Sequence, residues 1–174
     1  MEPNYTFARN MAKKILKDYD LSEVPTDLLK IFQQLGLKYI ELNDAEDVDG
    51  AIIEIDGKLA IAVLNKAKPV PGQRFTLAHE LGHIFLTHTK RDIYDPEEIR
   101  ESVGQLTDKL KPPTEKEAAV FASELLIPSE QLKKYTADIN NIEKLCDIFQ
   151  ASKQAMTLAV MNFWKNAGKK KRSF

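Results

Sequence analysis

Two of the chain's three histidines, His79 and His83, stand four residues apart, and Glu80 directly follows the first. On a helix, residues four apart share one face, so both imidazoles can aim at one point. Imidazole nitrogens bind zinc at about 2.0–2.1 Å, and His-Glu-x-x-His is a spacing that lets one helix supply two of them. Glu80 would lie beside that point. There it can take a proton from an attacking water and pass it to a leaving amine, a role that contributes about 10²–10⁴ in rate. The chemistry on offer is zinc-assisted peptide hydrolysis. The competing reading is an amphipathic helix whose histidines are merely packed or solvated. The scarcity of histidine weighs against it, since two of only three residues hold the required spacing around the required glutamate. Leu77, Leu81 and Ile84 form an apolar face that can anchor the helix. Gly82 costs about 1 kcal/mol relative to Ala in a helix, which points to another backbone element passing close by.

A catalytic zinc ion takes three protein ligands and keeps one position open. A third histidine in the metzincin position is excluded, because Leu86 stands where that pattern needs glycine and Thr89 where it needs histidine. The other solution is a glutamate from a later helix, where Glu115 and Glu117 stand close together. Glu117 fits a capping box with Thr114 as N-cap. Glu115 is not needed as a cap, and it shares a side with Ala118, Ala119 and Ala122, small residues that permit close helix approach. Glu115 is the preferred third ligand, Glu117 the second choice, and His88 and Asp92 are further alternatives. For the tetrahedral oxyanion, His88, Tyr94, Tyr135 and Arg74 are candidates. His88, the remaining histidine, comes first as a catalytic residue. Its other reading is a surface residue at a helix end, where the dipole favours a cation.

These residues must be held by a framework, and the pattern outlines one. Helical spacing over Phe7 to Tyr19 places Phe7, Met11 and Ile15 on one face. Pro25 can open a second helix, stopped by Gly36. Leu37 to Leu42 reads as a strand. Ala51 to Ile55 and Leu59 to Leu64 are apolar runs separated by Asp56-Gly57-Lys58, a hairpin signal. Pro69, Pro71 and Gly72 break the chain before the histidine helix. Thr89 to Lys111 is polar and reads as a loop or short exposed helix, able to act as a lid over a cleft. Pro112-Pro113 ends it. A helix then runs to about Leu126, Pro128 stops it, and two or three helices follow from Glu130. The expected class is α+β: a mainly helical, zincin-like domain over residues 1–136, with a small antiparallel sheet packed on the histidine helix. Residues 137–168 form a helical extension and 169–174 a basic tail.

The whole chain narrows the function classes. Its 174 residues, 43% hydrophobic and 29% charged, match a soluble globular domain able to bury a core without disulfides. The single cysteine, Cys146, excludes an internal disulfide and suits a reducing compartment; its apolar helical surroundings mark it as a packed residue, not a nucleophile. The N-terminus lacks a basic stretch followed by an apolar one, and the longest apolar run is too short to span a bilayer, so a cytoplasmic location without membrane partners is expected. A net charge of −1 does not advertise nucleic-acid binding. The C-terminal "IEKLCDIFQASKQAMTLAVMNFWKN" has helix-turn-helix character. Its second helix offers Lys153, Gln154, Asn162 and Lys165 but no arginine for base edges. Packing on the rest of the chain is therefore the favoured reading, with Trp164 as a packing anchor and DNA binding in the minority.

"RFTLAHELGH" followed by "EKEAAVFASELLIP" resembles the ImmA/IrrE-type metallopeptidases. The resemblance covers about Ile31 to Pro128 and implies His79, His83 and Glu115 as zinc ligands and Glu80 as the catalytic base. Ala118, Phe121, Ala122, Leu125, Leu126 and Pro128 match the rest of the second motif. Ala119 departs from it, standing where Asn or Asp is common and can support a histidine ligand by a hydrogen bond. The resemblance further implies a helix pair and a small antiparallel sheet before the active-site helix. It also implies a substrate class: helix-turn-helix transcriptional repressors, which such proteins cut or antagonise to release transcription. The alternative is a regulator that binds a repressor or DNA without cutting, with a weak or structural zinc site. The presence of Glu80 favours the enzyme, because a structural site has no use for a general base.

Overall fold

The computed structural model describes residues 2–41, 50–55, 58–63, 66–88 and 112–170. The fold is mostly helical. In chain order it comprises α1 (Tyr5–Asp18), α2 (Leu28–Leu35), strands β1 (Lys38–Glu41), β2 (Gly50–Ile55) and β3 (Lys58–Val63), and α3 (Val70–Phe85). Then follow α4 (Pro113–Leu126), the short α5 (Ser129–Leu132), a 3-10 turn over Lys133–Asp138, α6 (Ile142–Phe149) and α7 (Lys153–Lys170). The polar stretch Thr89 to Lys111 lies outside the described residues, and so do the Asp56-Gly57 hairpin turn and Asp44 to Asp49.

Local chemistry explains most helix ends. Asn4 caps α1 by accepting from the Phe7 N–H, and Asp27 caps α2 by accepting from the Lys30 N–H. The second helix therefore starts at Leu28, after Pro25, because the cap and not the proline sets its first turn. Gly36 closes α2 with φ of 65°, the left-handed conformation that glycine adopts at least cost. Pro71 sits in the first turn of α3, where its missing N–H has no intrahelical partner to lose. Pro71 and Gly72 thus belong to the histidine helix and do not precede it. Pro112 and Pro113 likewise open α4 without a side-chain cap. The capping box expected from Thr114 and Glu117 does not form. The prolines start the helix two residues earlier, with Pro112 in place of Thr114 as N-cap, and the Glu117 carboxylate goes to partners elsewhere.

The strands pair in the order β1-β3-β2. β2 and β3 form the antiparallel hairpin, with Ile55 opposite Lys58, while β1 runs parallel to β3, with Lys38 opposite Ala60. The sheet is mixed, correcting the antiparallel expectation: β1 reaches the central strand from a distant part of the chain and not through a hairpin turn.

The core gathers around α4. Phe121, Ala122 and Leu125 are fully enclosed, against Ala8, Ala12 and Ile15 of α1, Leu77, Ala78 and Leu81 of α3, and Ile31 and Phe32 of α2. The buried face of α1 is therefore Ala8-Ala12-Ile15; Phe7 is exposed. Small alanines let α1 approach α4 more closely than the expected Phe7 and Met11 would. Leu145 and Phe149 of α6 and Met156 and Val160 of α7 join the same cluster, so the C-terminal helices pack on the rest of the chain. Trp164 is 53% exposed and is not the packing anchor expected. Among the described residues no helix is long and apolar enough to cross a membrane.

Candidate metal centre

Helices α3 and α4 run side by side in the same direction. His79 meets Glu115, Gly82 meets Ala118, and Phe85 stacks on Phe121 with ring centroids 5.9 Å apart. Each pair is separated by the same 36 positions in the chain, so the two helices stay in step over two turns. A β-carbon on Gly82 would stand 3.1 Å from both the Cα and the carbonyl oxygen of Ala118. The close passage of another backbone, expected from Gly82, is thus observed, and α4 is that backbone.

This seam brings three side chains to one point. His79 Nε2 lies 3.0 Å from Glu115 Oε2, His83 Nε2 lies 3.1 Å from Glu115 Oε1, and the two Nε2 atoms are 3.1 Å apart. His79, His83 and Glu115 form the group able to hold a metal ion among the described residues. Glu117, the second choice, is turned away from it. Asp92 and Tyr94 lie outside the described residues.

The electrostatics follow from crowding. Burial would raise the Glu115 carboxyl, but hydrogen bonds and charge from His79 and His83 outweigh it and hold the group well below the ordinary carboxylate range. Glu80 behaves in the opposite way. It is only partly shielded from solvent yet densely surrounded by protein, and this loss of hydration raises its carboxyl. Nearby His79 and His83 pull it down, and Glu115 pushes it up again. A carboxyl raised in this manner is a better proton acceptor than a free one.

His88 is not on the open side of the cluster. Its Nδ1 lies 3.3 Å from His83 Nδ1, the ring nitrogen remote from Glu115, and its Nε2 lies 3.1 Å from Glu117 Oε2. With both nitrogens engaged and the side chain buried, His88 has no N–H to offer an oxyanion. The backbone explains the placement. Thr87, one residue beyond the C-cap of α3, has φ of 61° and turns the chain back so that His88 meets His83. Sequence reasoning missed this contact, although a third histidine one turn beyond the motif was its available signal. Of the other oxyanion candidates, Tyr135 packs edge-on against Phe149, and the Arg74 Nη2 donates to the Thr26 carbonyl at 2.7 Å. Cys146 is partly buried, and desolvation raises its thiol, which disfavours the thiolate a nucleophile needs.

The site's support is one-sided. The Nδ1 of His79 is buried with no hydrogen-bond partner among the described residues. The unsupported nitrogen accords with alanine at position 119, where the resemblance leads one to expect a hydrogen-bonding side chain.

No curated protein matches the chain at a significant level. The family model of the M78 peptidases, the IrrE N-terminal-like domain, matches residues 33–161. That span includes both motif helices and runs into α7, and by it the chain belongs to this metallopeptidase family.

Proposed function

We propose that this protein is a zinc-dependent endopeptidase of narrow specificity, which cuts a helix-turn-helix transcriptional repressor and so releases transcription. The observation that carries the reading is the convergence of His79, His83 and Glu115 with separations of 3.0–3.1 Å. Ligands about 2.05 Å from a tetrahedral ion lie about 3.3 Å from one another; the two Nε2 atoms, 3.1 Å apart, are close to that spacing, and each faces a different oxygen of Glu115 at 3.0–3.1 Å. Two imidazoles and one carboxylate are a donor set that suits catalytic zinc.

A zinc ion bound there supplies Lewis acidity, which polarises a carbonyl and makes water acidic enough to react near neutral pH. The remaining work falls to the chain. Glu80 accepts the proton of the attacking water, and its raised carboxyl suits both that step and return of the proton to the leaving amine. Glu115 remains ionised as a ligand. The outer strands of the order β1-β3-β2 offer backbone groups to an extended substrate. In this reading residues 1–136 form the peptidase unit, 137–168 a helical extension and 169–174 a basic end, and the protein acts in the cytoplasm.

The partnerless Nδ1 of His79 favours a second reading, a non-proteolytic regulator that binds a repressor or DNA through a chain whose zinc site is weak. Zinc analysis of the purified protein, with cleavage assays on helix-turn-helix proteins, separates the two. Stoichiometric zinc together with cleavage that Glu80→Gln abolishes supports the enzyme. Zinc without any cleavage, or binding that Glu80→Gln leaves intact as the sole activity, supports the regulator.

A further inference from the structure

Behind His83 a chain of hydrogen bonds leads away from the candidate centre and ends at the start of α1. His83 Nδ1 meets His88 Nδ1 at 3.3 Å, His88 Nε2 meets Glu117 Oε2 at 3.1 Å, and Glu117 Oε1 accepts the Asn4 backbone N–H at 2.6 Å. We propose that His88 and Glu117 are positioning residues, which fix the tautomer and aim of His83 and thereby set the metal affinity of the site; this rests on the metallopeptidase reading above.

The direction of the chain follows from donor and acceptor counts. A histidine that gives its Nε2 lone pair to a metal carries its proton on Nδ1. His83 must therefore donate from Nδ1, and the nitrogen it meets on His88 must accept. His88 then carries its proton on Nε2 and donates to Glu117, whose other oxygen is occupied by the Asn4 N–H. Every link has one donor and one acceptor with both imidazoles neutral. The relation is a carboxylate–histidine support of a ligand, extended by one imidazole.

Three further observations point the same way. The His88 and Glu117 side chains are 8% and 16% exposed, so water competes little for their hydrogen bonds. Thr87 holds a left-handed conformation that is unfavourable for a β-branched residue, and such strain persists where the surroundings over-determine it. Glu117 forms no helix cap, so tertiary partners alone account for its placement. His79 lacks any equivalent partner among the described residues, which leaves His83 as the supported ligand.

The test is a chelator-competition titration of zinc on the full chain. Cobalt(II) absorption and nitrogen-15 histidine spectra are recorded on the same samples. Wild type is compared with His88→Leu, His88→Gln and Glu117→Ala. The proposal expects the His83 proton on Nδ1 in the zinc-loaded wild type. It expects zinc affinity to fall about 10–100-fold in His88→Leu and Glu117→Ala, with an altered cobalt spectrum. His88→Gln keeps an acceptor for His83 and a donor for Glu117, and should recover most of the affinity. If His88→Leu does not fold, Glu117→Ala and His88→Gln still decide. Wild-type affinity and an unchanged cobalt spectrum in the variants overturn the positioning role and leave the metal site standing. Equal losses in His88→Leu and His88→Gln with an unchanged cobalt spectrum also overturn it, in favour of packing alone. A wild type that takes up no metal overturns the metallopeptidase reading and the proposal together.

Discussion

Gly82 lies against Ala118 so closely that the two helix backbones touch without an intervening side chain. The nearest atoms to an added β-carbon would be backbone at 3.1 Å and the Phe121 ring at 3.2 Å. Backbone cannot swing aside as a flexible side-chain end can. Gly82→Ala gains about 1 kcal/mol of helix propensity but overpacks the seam by about 1–3 kcal/mol. The expected outcome is a net loss of stability together with weaker zinc binding, since His79 and Glu115 face each other one turn away. Thermal melting of the metal-free protein and a zinc titration check it; a more stable variant with unchanged affinity would contradict the close contact.

On the proposed roles of Glu115 and Glu80, removing one and removing the other should part company. Glu115→Ala is expected to lose zinc, whereas Glu80→Gln should keep zinc and lose about 10²–10⁴ in cleavage rate. Stripping zinc from the wild type should lower its melting temperature, since ligand at 100 times its Kd adds about 2.7 kcal/mol. Glu115→Ala should melt at the same temperature with and without zinc. Metal analysis and calorimetry on the three proteins measure this.

The partnerless nitrogen of His79 invites a gain of function. Ala119→Asn restores the side-chain type that the second motif leads one to expect, and zinc binding should tighten by up to about 10-fold. Unchanged affinity would show that position 119 does not reach His79 in this chain.

Thr26 is fully buried, and its hydroxyl donates to the Leu125 carbonyl at 2.8 Å, near the end of α4. Its own carbonyl receives the Arg74 guanidinium from α3. Thr26→Val keeps the shape and removes the hydroxyl, leaving the Leu125 carbonyl short of a partner, at a cost of about 1–3 kcal/mol. Chemical denaturation should show that loss while zinc affinity stays near wild type.

Thr87→Gly should leave stability close to wild type. Glycine adopts a φ of 61° without the clash that a β-branched residue suffers. The folded state is relieved while the unfolded chain gains entropy, so the net effect is small, about 1 kcal/mol or less in either direction. His88 should remain in place and zinc affinity unchanged. A marked drop in affinity would mean that the threonine side chain itself holds the turn.

What could be read from the sequence was what depends on near neighbours. The four-residue spacing of His79 and His83, the stop at Gly36, and the hairpin of β2 and β3 are all settled within a few residues. Gly82 was legible too, because an unfavourable helix residue implies a compensating contact. Glu117 was not. Its partners, His88 and Asn4, are 29 and 113 positions away, and the local capping motif offered a cheaper explanation. The parallel placement of β1 and the alanine face of α1 escaped for the same reason, since both are set by what packs across from them.

The constant offset between α3 and α4 separates what must be kept in this chain from what is free to drift. Each helix is a word whose internal spelling is fixed by the 3.6-residue turn: histidine, glycine and phenylalanine three apart on one, glutamate, alanine and phenylalanine three apart on the other. The number of residues between the two words appears nowhere in the geometry of the seam. Lengthening or shortening that interval, in a relative or by design, changes the count of 36 but not the contact. A search for distant kin should therefore hold the two words rigid and let the gap float.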